Sequence, residues 1–136
     1  ALDATLRPRP QGLSAAEMIR QVKEVTGRLV LADVATYAEG VAAYQAGADA
    51  VSTTLSGYTA DSPHQEDPDF DLLLRLAADL PIPVIAEGRI NTPDQAAQAL
   101  DLGAFAVVVG SAITRPQLIT RRFAARLAQR KTEGAQ

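Results

Sequence analysis

The chain has 136 residues, a length that suits one domain, and its 47% hydrophobic content is that of an ordinary globular protein. A formal charge of −3, from 13 basic and 16 acidic residues, gives no general attraction to nucleic acid or to an anionic membrane, and no apolar run reaches the roughly 18 residues of a membrane span. Cysteine is absent, which removes disulfide and thiolate chemistry and fits a cytoplasmic setting, while aromatic residues at 4% without tryptophan leave little for stacking bases.

Ala1 to Thr5 reads as the tail of a strand. An apolar run at 29–33 predicts the next strand, the alanine-rich stretch 38–46 a helix stopped by Gly47, and 50–54 another strand. Leu72, Leu73, Leu76 and Leu80 recur at helical spacing within 69–80, and a strand follows at 82–86. Thr92-Pro93-Asp94 opens a helix with an N-cap threonine, a first-turn proline and an acid near the positive helix end; Gly103 closes it. Residues 105–109 predict a further strand and 116–130 a last helix, with a tail from Lys131 to Gln136. Short, continuously apolar strands between helices suit a parallel sheet covered on both faces.

The segment from Gln45 to Val51 is echoed by that from Asp101 to Val107, fifty-six positions on. Each joins a helix end, a glycine turn and a strand start. The interval corresponds to two βα units and points to a (β/α) barrel or an open doubly wound sheet. A complete (β/α)8 barrel needs about 250 residues. Four full strands and a stub therefore predict an α/β chain that is the C-terminal half of a (β/α)8 TIM barrel, with residues 1–136 as a single domain whose N-terminal half is absent.

In a barrel, functional groups gather at the C-terminal ends of strands. Those ends carry Asp3 with Thr5 and Arg7, then Asp33, Thr53 with Thr54, Glu87 with Arg89, and Gly110 with Ser111 and Arg115. Glu87 suits proton abstraction beside a carbonyl. Asp33 is too distant in sequence to be a local partner, but it shares that rim and can orient a neighbouring cation. Bare N–H groups at Gly88, Gly110 and Ser111, ahead of helices, suit an anion. Arg115 offers its fork of donors to a phosphate or to a surface ion pair, and Arg89 and Thr54 complete the candidate substrate-binding set. His64, in the polar loop 61–68, is expected in solvent. Arg121, Arg122, Arg126 and Arg130 complement the negative end of the last helix rather than bind nucleic acid. Its apolar stripe of Ile119, Phe123 and Leu127 is expected to pack on the barrel or on a second copy in a homodimer.

Five segments in order carry a resemblance: Leu2-Asp3-Ala4-Thr5 with Arg7-Pro8-Arg9-Pro10, Ala32-Asp33-Val34, Thr53-Thr54-Leu55-Ser56-Gly57-Tyr58-Thr59, Ile85-Ala86-Glu87-Gly88-Arg89-Ile90, and Val109-Gly110-Ser111-Ala112-Ile113-Thr114-Arg115-Pro116. Together they resemble the bacterial N-acetylmannosamine-6-phosphate 2-epimerases over nearly the whole chain. The Gly-Ser turn is common among phosphate-binding barrels; the segment beginning at Thr53 is specific. The resemblance implies a (β/α)8 barrel without metal or organic cofactor. It implies interconversion of N-acetylmannosamine 6-phosphate and N-acetylglucosamine 6-phosphate by inversion at C2, in sialic-acid breakdown. On this resemblance Glu87 is the catalytic carboxylate, Asp33 positions a catalytic lysine, Arg115 contacts substrate, and Gly88, Gly110 and Ser111 form the phosphate-holding turns.

The same resemblance places the second acid–base group, a lysine, on a third strand that this sequence lacks, together with a sugar-holding glutamine and arginine. Lys23 falls on an early helix and Lys131 in the tail. Turnover by this chain alone is therefore not expected. One alternative is a phosphate-binding flavodoxin-like or receiver-like module, although Gly110-Ser111 stands where a receiver needs a lysine. Another is a catalytically incompetent barrel fragment that oligomerises through its open sheet edges. Other phosphosugar barrels share the last phosphate turns but not the segments beginning at Leu2 and Thr53.

Overall fold

The computed structural model of the chain describes residues 1–9 and 12–133; Pro10, in the first segment singled out above, and residues 134–136 of the expected tail lie outside them. Strands and helices alternate as β1 Leu2–Asp3, α1 Ala15–Thr26, β2 Leu31–Asp33, α2 Tyr37–Gln45, β3 Ala50–Ser52, α3 Phe70–Asp79, β4 Val84–Glu87, α4 Pro93–Asp101, β5 Ala106–Val108, α5 Ser111–Thr114 and α6 Pro116–Glu133. The first free N–H groups of a helix need acceptors that the helix itself cannot provide. Ser14, Thr36 and Thr92 each accept from the N–H three residues on, and Glu17, Glu39 and Gln95 reach back to the capping residue's own N–H. Asp69 caps α3 by accepting from the Leu72 N–H at 3.0 Å.

The sequence echo is a repeat in geometry. Gly47 and Gly103 hold φ of +97° and +99°, a left-handed turn that suits glycine at a helix end. The Ala48 N–H donates to Ala43 O and the Ala104 N–H to Ala99 O, both at 3.0 Å. The match extends upstream. Glu39 Oε2 accepts from the Ala35 and Thr36 N–H groups, and Gln95 Oε1 accepts from those of Asn91 and Thr92.

The strands lie in the order β1-β2-β3-β4-β5 with every neighbouring pair parallel. This order decides between the two architectures. Crossovers between parallel strands are right-handed, so steps always taken in one direction set every helix on one face. An open doubly wound sheet needs a reversal of order, and this one has none. The flavodoxin-like reading falls on that point, and the chain is a run of βα units of the (β/α)8 barrel kind.

Register sorts the side chains. Leu2, Ala32, Val51 and Val84 align on one face; Asp3, Asp33, Ser52 and Ile85 align on the other. The first row is apolar and packs on the helices, forming a core with Ile19, Ala43, Leu73, Leu76 and Ala99. On the second, inner face Leu31, Asp33, Ile85 and Glu87 remain half-buried. The expectation of a sheet covered on both faces is met on one only, because the described helices all pack on the same side.

Some boundaries differ from the sequence reading. β2 starts at Leu31 rather than at residue 29, since the Val30 N–H goes to Asp49 Oδ2 at 2.7 Å. Pro116 disfavours helical conformation at Arg115, which takes φ −115° and ψ 91° and separates the short α5 from α6. α6 continues to Glu133, past the expected end and into the expected tail. Phe123 and Leu127 are 70% and 64% exposed and do not pack on the sheet within this chain, while Ile119, the first residue of the stripe, is half-buried. The helix is fastened instead by Arg122, whose guanidinium donates to Asn91 O and Oδ1 at 3.2 and 2.9 Å.

Candidate active site

β4 ends on Glu87, and β3 runs from Ser52 into Thr53 and Thr54 beside it. Thr53 pins the backbone of Glu87 from both sides: its Oγ1 accepts from the Glu87 N–H at 3.1 Å and donates to Glu87 O at 2.9 Å. With Thr53 used in this way, strand alternation brings Ser52 and Thr54 together with Glu87 and Asp33. Thr54 Oγ1 lies 3.0 Å from Glu87 Oε2 and 3.1 Å from Asp33 Oδ1. Ser52 Oγ lies 2.7 Å from Thr54 Oγ1 and 3.4 Å from Glu87 Oε2. Two carboxylates on different strands are thereby joined through hydroxyls.

Burial pushes the Asp33 carboxyl above the usual carboxylate range; the Glu87 charge adds to this, and the Thr54 hydrogen bond opposes it. Asp3, in the same row, goes the other way. Burial would raise it, but the Thr5 hydroxyl and N–H together with Arg7 and Arg9 hold it below that range.

A cavity of about 390 Å³ opens beside Glu87. Its wall brings together Thr54, Glu87, Gly88, Arg89, Gly110 and Ser111, with Tyr58 and Asn91. Gly88 and Arg89 hold φ of +109° and +57°, successive left-handed residues that turn the chain sharply at the strand end. Ser111 and Ala112, the first residues of α5, carry N–H groups with no acceptor inside their helix, and both residues line the cavity.

Two expected residues stand apart from this wall. Asp33 is not among the cavity's lining residues and meets one of them, Thr54, through its hydroxyl. Arg115 caps α5 and is exposed outside the cavity lining. Arg89 is on the wall, but its side chain is engaged elsewhere. Its Nε donates to Asp67 O at 2.8 Å, its Nη1 to Ser56 O at 2.6 Å, and the guanidinium stands 5.1 Å over the Tyr58 ring. This member of the expected substrate-binding set thus holds the loop between β3 and α3.

Ser52, Tyr58 and Asn91 were not among the expected site residues, although Tyr58 lies in the segment beginning at Thr53. Two-residue alternation from Thr54 would have found Ser52; Tyr58 and Asn91 sit in loops that carry no periodic signal. His64 is exposed, as expected. Lys23 lies at the opposite rim, where its Nζ donates to Gly47 O at 2.8 Å and Asp49 Oδ1 at 2.7 Å, just ahead of β3. Among the described residues no group of three or more His, Cys, Asp or Glu is disposed to hold a metal ion. No described helix is long and apolar enough to cross a membrane.

The family model described as "Putative N-acetylmannosamine-6-phosphate epimerase" (NanE) matches residues 1–129. The chain belongs to this family. The NanE match takes in the whole cavity wall and the Asp33–Thr54–Glu87 connection. A relative from Caldanaerobacter subterraneus subsp. tengcongensis, named "Putative N-acetylmannosamine-6-phosphate 2-epimerase", is 52% identical over 132 residues, covering 96% of this chain and 56% of the relative. The solved N-acetylmannosamine-6-phosphate 2-epimerase from Clostridium perfringens superposes with a TM-score of 0.84 at 52% identity, covering 91% of this chain and 54% of that one. Thiamine phosphate pyrophosphorylase from Pyrococcus furiosus follows the same course at 26% identity and a TM-score of 0.59, covering 82% of this chain and 49% of that one. The chain spans about half the length of the curated relatives it matches.

Proposed function

We propose that this chain supplies one proton-transfer carboxylate and the phosphate-holding turns of an epimerase. It would interconvert N-acetylmannosamine 6-phosphate and N-acetylglucosamine 6-phosphate in the cytoplasm, in sialic-acid breakdown. The observation that carries this reading is the setting of Glu87: backbone pinned by Thr53, carboxylate on the wall of a cavity shared with Gly88 and Gly110-Ser111, in a chain of this family. In the open-chain sugar the C2 hydrogen lies beside the aldehyde. Glu87 removes it as a proton, the bonding pair moves into C1–C2 as the carbonyl electrons move onto oxygen, and an enolate forms. Reprotonation from the opposite face inverts C2. The phosphate rests on the N–H groups of the two turns, with Arg115 at their edge.

The opposite-face group is assigned to the portion of the relatives that the match does not cover, since Lys23 is tied down at the far rim. Asp33 is assigned to orient that group. The five βα units form one domain with that portion and complete the barrel with it, and two such barrels pair as a homodimer.

The test joins this chain to the uncovered portion of a relative and follows deuterium entering C2 from heavy water. Glu87→Gln should slow exchange by about 100-fold to 10,000-fold while phosphate affinity is kept. Undiminished exchange in that variant would remove Glu87 from the role. The 136-residue chain alone should give none; a rate equal to that of the joined protein would overturn the assignment of the second group.

A further inference from the structure

Asn91 stands just past the left-handed turn at Gly88 and Arg89, and none of its polar groups is idle. Its N–H donates to Gln95 Oε1 at 2.8 Å, which belongs to the capping of α4. The other three groups join α6 to the turn. Asn91 O and Oδ1 accept from Arg122 Nη1 and Nη2 at 3.2 and 2.9 Å, and Asn91 Nδ2 donates to Arg89 O at 2.8 Å. Chemistry dictates which end of the amide meets which partner. A guanidinium only donates, so it must meet the amide oxygen; a backbone carbonyl only accepts, so it must meet the NH2. Turning the amide over would set donor on donor and acceptor on acceptor. The fork of Arg122, placed on both oxygens of Asn91, therefore sets the one orientation in which Asn91 can hold Arg89 O.

Arg89 needs such a hold. Among the described residues it is the one residue other than glycine at positive φ, +57°. That conformation costs an L-residue energy and lasts where the surroundings fix it. Ser56 O and Asp67 O fix the guanidinium of Arg89, at the far end of a long rotatable stem. Asn91 acts on the backbone itself. The same turn carries Gly88, on the cavity wall directly after Glu87, whereas Arg122 is exposed and outside that wall.

We propose that Arg122, acting through Asn91, is a positioning residue for the Gly88–Arg89 turn of the cavity. The functional meaning rests on the reading of that turn as a phosphate holder; the hold on the turn does not. Loosening the turn costs phosphate binding and spares the proton step, because Thr53 pins Glu87 separately through its N–H and its O. Binding that is lost equally from ground state and transition state raises KM and leaves kcat in place.

Nitrogen-15 relaxation of the 136-residue chain reads the hold without substrate. Order parameters of the Gly88 and Arg89 amides should match those of β4, about 0.85, and fall below about 0.6 in Arg122→Ala while β4 is unchanged. Asn91→Asp separates the hold from the fastening of α6, since a carboxylate still accepts from Arg122 but has no N–H for Arg89 O. The turn should loosen in that variant too. A turn that keeps its order in either variant would overturn the proposal. In the protein joined to the uncovered portion of a relative, Arg122→Ala should raise KM for N-acetylmannosamine 6-phosphate about 5-fold to 30-fold, the ordering cost of about one backbone residue, with kcat kept within about 2-fold. A fall in kcat at constant KM would overturn the proposal, because Arg122 would then act on the proton step. A loosened turn with both constants unmoved would keep the hold and sink the turn as phosphate holder, so the two readings fail separately.

Discussion

Asp33 and Glu39 show how differently two carboxylates can be used within one βα unit. Glu39 is buried and accepts from the Leu6, Ala35 and Thr36 N–H groups, all at 2.9 Å. It ties the end of β1 to the start of α2, and nothing in its setting calls for chemistry. Glu39→Ala should lower unfolding free energy by about 2–4 kcal/mol in urea titration, with Glu39→Gln retaining much of it because one acceptor oxygen remains. Asp33 is held in the folded state with its carboxyl raised, chiefly by burial and further by the Glu87 charge. The folded chain therefore binds that proton more tightly than the unfolded one. Ionised Asp33 then costs stability as pH rises from the ordinary carboxylate range through the raised value. Asp33→Asn should match the unaltered chain in melting temperature at low pH and exceed it at neutral pH; a lower midpoint at neutral pH would contradict this sign. Glu87 and Asp33 were legible as residues because each stops an apolar run. Their connection was not, since it runs through Ser52 and Thr54, whose hydroxyls announce no partner in sequence.

At the level of elements, the loop between β3 and α3 depends on a side chain from another strand end. Arg89 spends its Nε and Nη1 on Asp67 O and Ser56 O and covers Tyr58. Gly57 makes room for it, as a Cβ there would meet Nη1 at 2.9 Å. Arg89→Ala should speed amide exchange across residues 56–67 and expose that loop to protease, while β3 and β4 amides stay protected. Unchanged exchange in the loop would show that other contacts hold it. α6 is joined to the turn after β4 in a similar way, through Arg122 and Asn91. Helix starts were readable where a cap precedes a periodic run, as at Thr92. The break at Arg115 and the short α5 were not, because four residues carry no period; Pro116 was the one available sign. Arg89 was expected in the substrate-binding set, and only the loop folding back over it shows what its donors meet.

For the molecule as a whole, the α/β class followed from alternation and the glycine echo, whereas barrel against open sheet was settled only by strand order. Sequence periodicity says which residues share a face, not which strand lies next to which. The same order leaves the inner face half-covered and leaves Val25, Leu29, Phe105, Ile113 and Phe123 from 68% to 84% exposed. So much bare apolar surface favours self-association of the chain on its own. Light scattering should find a mass that grows with concentration, and Phe123→Glu with Leu127→Glu should reduce it; a strict monomer throughout would mean the surface is tolerated in water. The most direct trial of the account is amide mapping by nitrogen-15 NMR as N-acetylmannosamine 6-phosphate is added to the chain. Shifts should centre on Glu87, Gly88, Asn91, Gly110 and Ser111. Shifts that miss both glycine turns, or that gather at the far rim around Lys23 and Asp49, would contradict it.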